Sequence, residues 1–146
     1  MGVRSSEQQG ISIVIPVYNE ENSIVRVITQ IKEALNQFLY QILIVDDGSR
    51  DNTGTVAKEQ QVDVIFNETS LGYGAALRKG FENSKYEIIV SLDGDGQYDP
   101  RDIPRLVDPI LMHRADIVIG SRFSPNSKIR PYSLNSFQKI GIYIFR

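Results

Sequence analysis

Apolar positions along this chain follow two alternating rhythms. Ile11-Ser12-Ile13-Val14-Ile15, Gln41-Ile42-Leu43-Ile44-Val45, residues 62–66, residues 86–92 and Asp116-Ile117-Val118-Ile119 are short, nearly unbroken apolar runs rich in β-branched residues. Such runs predict strands buried on both faces. Between them the spacing lengthens. Residues 19–37 carry Ile24, Val27, Ile28, Ile31 and Leu35 at helical intervals, which predicts an amphipathic helix. Further helices are predicted from about Asp51, with Asp51 or Asn52 as cap, over residues 71–84, and over residues 103–113 behind Pro100.

Strand-helix alternation of this kind predicts an α/β protein with a mainly parallel sheet and helices on both faces. Residues 1–10 read as a polar lead-in, 11–123 as the core domain, and 124–146 as a loop followed by the start of a helix. That last helix is expected from the stripe Leu134, Phe137, Ile140, Gly141 and Ile144. A stripe with nothing after it to pack on leads to the expectation that this is a piece of a longer protein.

In parallel sheets ligands bind outside the carboxyl ends of the strands. Those ends carry residues 18–20, 46–49, 67–74, 93–97 and Ser121-Arg122, so the polar groups with chemical potential fall on one edge. Within Ser91-Leu92-Asp93-Gly94-Asp95-Gly96-Gln97, Asp93 and Asp95 are two apart and project to one face of extended backbone. Gln97 adds a neutral oxygen. Such a set suits a hard divalent cation that also holds phosphate oxygens, because Mg²⁺ takes only one or two carboxylates and completes its octahedron with substrate and water. The competing reading is a solvated Asp-Gly turn. A calcium hand is disfavoured, since its ligand ladder and closing Glu are not completed.

Asp46-Asp47-Gly48-Ser49 ends the second run. Adjacent carboxylates point to opposite sides, so one is free to accept from a base imide or ribose hydroxyl, while helix capping is the alternative. In Pro16-Val17-Tyr18-Asn19-Glu20, Tyr18 can stack on a base and Glu20 can bind base or ribose edges, or Asn19 and Glu20 simply open a helix. Leu71-Gly72-Tyr73-Gly74-Ala75-Ala76 allows close backbone approach to phosphate, but Leu77 breaks the dinucleotide fingerprint. Arg78 and Lys79 face either phosphate or solvent, and solvent is the expectation. Arg122 is a candidate phosphate clamp. His113, at a helix end, is given no catalytic role.

Composition narrows the classes. With 146 residues, 41% hydrophobic and 23% charged, the chain has the makings of one globular domain. A net charge of −2 gives no basic face for nucleic acid. The absence of cysteine excludes disulfides and thiolate metal sites and favours a reducing compartment such as the cytoplasm. No run approaches the ~20 apolar residues of a membrane span, and the polar start is unlike a signal peptide. The sequon Asn67-Glu68-Thr69 is read as coincidence.

Taken together, Ile13-Val14-Ile15-Pro16-Val17-Tyr18-Asn19-Glu20, Val45-Asp46-Asp47-Gly48-Ser49-Arg50-Asp51-Asn52-Thr53, the stretch 72–80, Asp93-Gly94-Asp95-Gly96-Gln97 and Gly120-Ser121-Arg122 resemble family 2 glycosyltransferases of the Rossmann-like GT-A fold. Within that family they are most similar to the polyprenyl-phosphate (dolichol-phosphate) hexosyltransferases. The resemblance implies that Pro16, Tyr18, Glu20, Val45, Asp47, Asp93 and Gly94 surround the nucleotide. It further implies that Asp93, Asp95 and Gln97 hold Mg²⁺ or Mn²⁺ on the donor diphosphate, with Asp95 and Arg122 as catalytic residues. The implied donor is a nucleotide-diphosphate sugar of the GDP-mannose or UDP-glucose type, and the implied acceptor a polyprenyl phosphate at a membrane surface. Gly94 stands where the family often has alanine, a change expected to be harmless.

Two other readings compete. A phosphoryl-receiver domain also combines an acidic pair with a parallel sheet, but needs that pair after the first strand and a lysine where Arg122 stands. A nucleotide-sugar-binding module without catalysis would keep the same donor site, and a transferase acting on a sugar hydroxyl would need a base from beyond these motifs.

Overall fold

The structure, a computed structural model, describes residues 9–121 and the strand Tyr143–Phe145. Strands β1 (Ile11–Val17), β2 (Tyr40–Asp46), β3 (Asp63–Phe66), β4 (Ile88–Ser91), β5 (Ile117–Ile119) and β6 (Tyr143–Phe145) form one sheet in the order β3-β2-β1-β4-β6-β5. Pairings β1–β2, β1–β4 and β2–β3 are parallel, while β6 lies antiparallel between β4 and β5. The expected α/β, mainly parallel architecture is therefore the one observed. Helices α1 (Ile24–Ala34), α2 (Thr53–Glu59), α3 (Tyr73–Glu82) and α4 (Ile103–Leu111) connect the strands, and a 3₁₀ turn, Pro100–Asp102, leads into α4.

β1 is the buried centre, with every residue of Ile11–Val17 out of solvent. Its side chains alternate between two packed faces. Ile11, Ile13 and Ile15 join Ile24, Val27, Ile28 and Ile31 of α1, Ala57 of α2, and Ile103, Val107 and Ile110 of α4 in one core. On the other face α3 lies against β1 and β2 so closely that a Cβ on Gly80 would stand 2.2 Å from Val14 Cγ1. Ser12, the polar residue in the run, is fully buried, where its hydroxyl donates to Gln41 Oε1 (2.8 Å) and accepts from the Tyr86 amide (3.0 Å). Pro16 lies past the last β1–β4 pair, Val14 with Ser91, so the missing N–H falls where β1 has β2 alone beside it.

Two expectations need correction. The first helix begins at Ile24 rather than near Asn19. Asn19 takes a left-handed φ of 55°, and its amide and side chain are drawn into bonds with Ser49 Oγ (3.0 Å) and the Arg50 amide (2.8 Å). Tertiary bonding between two loops overrides local helical spacing there. In the tail, Ile144 is in β6, opposite Val90 and Val118, instead of a helical stripe. Tyr143-Ile144-Phe145 has the aromatic and β-branched character of a strand, and the gap between β4 and β5 pairs its backbone on both sides. Leu134, Phe137, Ile140, Gly141 and Arg122 lie outside the described residues.

Candidate active site

The carboxyl ends of β1, β2 and β4 meet at one rim, tied together by polar bonds between loops. The Glu20 amide donates to Thr53 Oγ1 (2.7 Å), and Thr53 is itself fully buried. Ser23 Oγ donates to the Gly94 carbonyl (2.8 Å), joining the start of α1 to the loop after β4. Arg26 packs over Gly96, whose φ of +75° favours glycine and whose missing side chain leaves space for the guanidinium.

Glu20, Asp93 and Asp95 are brought together by this lacing. Glu20 Oε2 is buried without a hydrogen-bond partner and presses on Gly94, midway between the two aspartates. Burial first, then the charges of Asp95, Asp93 and Asp51, push the Glu20 carboxyl up to about 7. A Cβ on Gly94 would stand 2.2 Å from Glu20 Oε2 and 2.7 Å from Val17 Cγ1. An alanine at position 94 would therefore require the flexible end of Glu20 to move out, whereas the glycine present, expected to be harmless, leaves that carboxyl room to lie against the loop.

Asp93 is half-buried and accepts from the Tyr73 hydroxyl (3.1 Å). Tyr73 keeps about half of its surface in solvent (52%), but partial burial and the Asp93 carboxylate beside its hydroxyl still hold the phenol above its ordinary pKa. Asp95 and Gln97 are exposed, and Asp95 Oδ1 accepts from the Gln97 amide (2.9 Å). Among the described residues no group of three or more His, Cys, Asp or Glu side chains is arranged to hold a metal ion. The donor chemistry nonetheless fits a hard cation completed by phosphate: Asp93, Asp95 and Gln97 offer oxygens close together in the chain, and a cation beside them would relieve the negative charge crowded around Glu20. Tyr18 stands on the same rim, with 43% of its surface exposed.

The acidic pair after β2 divides its work. Asp46 is buried, and its Oδ1 accepts from the Ser49 amide (2.9 Å), closing the turn. Asp47 is only 5% exposed, and its oxygens accept from Asn67 Nδ2 (2.8 Å), Ser70 Oγ (2.7 Å), the Leu71 amide (2.9 Å) and the Gly72 amide (2.9 Å). Burial raises its pKa, but those donors outweigh burial and leave it below the usual carboxylate range. Neither caps α2, whose preceding loop is closed by Asp51 accepting from the Thr53 amide (3.0 Å).

Lys79, expected to face solvent, donates through Nζ to Asn67 Oδ1 (2.6 Å). The hydrogen bonds by which Tyr73, Asn67 and Thr53 knit the rim together are not visible in local spacing. Their partners lie 12 to 33 residues away, and only the clustering of polar residues at strand ends hinted at them. Pro16 and Val45 pair across β1 and β2 behind the rim. A cavity of about 390 Å³ lined by Lys32, Gln41, Asp63 and Lys85 lies at the opposite edge and contains none of the candidate residues.

A mainly parallel sheet of this order, with carboxylates gathered on its carboxyl rim, is a GT-A glycosyltransferase fold. The chain belongs to glycosyl transferase family 2, whose family model matches residues 12–146. It is 35% identical over 127 residues to polyprenol monophosphomannose synthase of Mycolicibacterium smegmatis, an alignment covering 81% of this chain and 47% of the relative. It is 34% identical over 142 residues to dolichol-phosphate mannosyltransferase of Pyrococcus furiosus, covering 93% and 40%. Among solved structures it is similar to Mycobacterium tuberculosis glucosyl-3-phosphoglycerate synthase in complex with Mn²⁺, UDP and glucosyl-3-phosphoglycerate, at TM-score 0.61 and 31% identity, covering 70% and 40%. The chain spans less than half the length of these two curated relatives.

Proposed function

We propose that this chain is the donor-binding part of a metal-dependent, inverting glycosyltransferase that moves a hexose from a nucleotide-diphosphate sugar to a polyprenyl monophosphate. The observation that carries the reading is the convergence of Glu20, Asp93 and Asp95 on one rim, with an unpartnered buried oxygen among them. The names of the Mycolicibacterium and Pyrococcus relatives support a polyprenyl or dolichyl phosphate acceptor and mannose as the sugar. The Mn²⁺ and UDP in the mycobacterial structure support a divalent cation and a nucleoside diphosphate.

In this reading Tyr18 stacks on the base, Pro16, Val45 and Gly94 shape the floor, and Glu20 faces the nucleoside. Asp47 serves the same end of the site, and Arg122 approaches the transferred or acceptor phosphate. Asp93, Asp95 and Gln97 would hold Mg²⁺ or Mn²⁺, which when bound neutralises charge developing on the leaving diphosphate. The acceptor monophosphate has a second pKa near ~6, so at neutral pH it is largely ionised. Its oxygen attacks the anomeric carbon from the face opposite the diphosphate. The new C–O bond forms as the old one breaks, the bonding pair leaves with the nucleoside diphosphate, and the configuration inverts. No protein base is required. In this reading the acceptor is met at the cytoplasmic face of a membrane; among the described residues no helix is long and apolar enough to cross one.

The test is transfer of labelled hexose from GDP-mannose or UDP-glucose into the organic-soluble fraction, with polyprenyl phosphate and Mn²⁺ present. Label in the lipid as the inverted anomer is the expected result. Donor binding without lipid label, in the full-length polypeptide that contains this chain, would refute lipid transfer. It would favour a sugar-hydroxyl acceptor or a binding module.

A further inference from the structure

We propose that Tyr73 is a positioning residue for Asp93, and that Asp47 acts on the cation site through Tyr73 by anchoring the loop that carries it. This rests on the assignment of Asp93 and Asp95 to a cation made under Proposed function. A carboxylate offers about four lone-pair sites, and Asp47 already meets four donors, all from residues 67–72. It is turned into that loop.

The loop is held at several points. Gly48, at φ +76°, allows the 69–70 backbone to lie so close that a Cβ would stand 2.8 Å from the Ser70 nitrogen. Asn67 spans Asp47 on one side and Lys79 of α3 on the other. Gly72, whose amide donates to Asp47, is the N-cap of α3 at φ +90°, and Tyr73 is the first residue of that helix. The backbone of Tyr73 is thus set from the Asp47 side, while its hydroxyl reaches the loop after β4 and donates to Asp93 Oδ1.

An aspartate's terminal torsion is broad and roughly two-fold, so a fixed donor on one oxygen selects its orientation. Orienting partners of this kind matter at cation sites: their loss costs about 10- to 100-fold in metal affinity. The path runs from the end of β2 through the loop after β3 to the end of β4, and joins the nucleoside side of the rim to the diphosphate side.

The experiment is titration of the chain with Mn²⁺ alone, followed by calorimetry or electron paramagnetic resonance. The variants are Asp95→Ala, Tyr73→Phe, Asp47→Asn and the Tyr73→Phe/Asp47→Asn double. Mn²⁺ binding abolished by Asp95→Ala and weakened roughly 10-fold or more by Tyr73→Phe, with an unchanged melting temperature, is the expected result. Asp47→Asn should weaken binding in the parent but add little in the Tyr73→Phe background, because residues acting along one path are not additive. If Asp47→Asn does not fold, Ser70→Ala removes one anchoring donor and takes its place in the cycle. Equal or tighter Mn²⁺ binding by Tyr73→Phe would overturn the inference alone, and fully additive losses would remove Asp47 from it. Absence of any Asp95-dependent Mn²⁺ binding in the parent would overturn the cation assignment as well.

Discussion

Replacing Glu20 by glutamine should stabilise the ligand-free protein at pH 8 and leave it little changed at pH 4. The Glu20 carboxyl is raised from 4.5 to about 7 by burial and by Asp95, Asp93 and Asp51. An acid whose pKa is higher folded than unfolded binds more protons in the native state, so stability falls as pH rises between those two values. Below about 4.5 both states are protonated and no penalty exists; above about 7 the full penalty is present. A raise of that size corresponds to roughly 3 kcal/mol. Water still reaches part of the side chain, which reduces the figure to about 1.5–2 kcal/mol. Glutamine removes the charge but keeps a polar atom at the unpartnered position, so the gain is electrostatic only. Urea denaturation of parent and variant at pH 4, 6 and 8, without divalent cations, gives the difference directly. It should be near zero at pH 4 and grow to about 1.5–2 kcal/mol at pH 8. A difference that is constant with pH, or a variant less stable at pH 8, would refute the placement of Glu20 among the aspartates.

Gly94→Ala should flatten the same pH dependence, because its methyl takes the space of Glu20 Oε2 and drives the carboxyl outward. The parent's slope retained in that variant would show that Val17 or the backbone moves instead. Gly80→Ala should destabilise by about 1–2 kcal/mol, the strain of a methyl 2.2 Å from buried Val14 Cγ1 exceeding the gain in helix propensity. Thermal melting checks this, and a higher melting temperature would mean that α3 sits further from the sheet than described.

The framework was legible where packing is dictated by the chain's own rhythm. Ile11 to Ile15 and Gln41 to Val45 read as buried strands, and Ile24, Val27, Ile28 and Ile31 as one helix face, because alternation and helical spacing report burial directly. Residues 19–23 read as helix but serve as loop, since Ser49, Arg50 and Thr53, some 30 residues away, take their hydrogen bonds. Ile144 fits a helical stripe, yet its strand neighbours Val90 and Val118 are distant in sequence. At the site, composition and position pointed to Glu20, Asp93 and Asp95 as residents of one rim. Local spacing could not reveal that Asp47 turns inward to residues 67–72, or that Tyr73 reaches Asp93, because both facts depend on how the loop after β3 folds back.

The most direct test of the central claim, that side-chain oxygens on this rim hold a cation with a nucleotide sugar, is the melting temperature with GDP-mannose or UDP-glucose, each with and without Mn²⁺. A ligand at a hundred times its Kd should add about 2.7 kcal/mol of stability. The account predicts a rise for one donor that requires Mn²⁺ and disappears in Asp95→Ala. A rise of equal size without Mn²⁺, or one that survives Asp95→Ala, would contradict it.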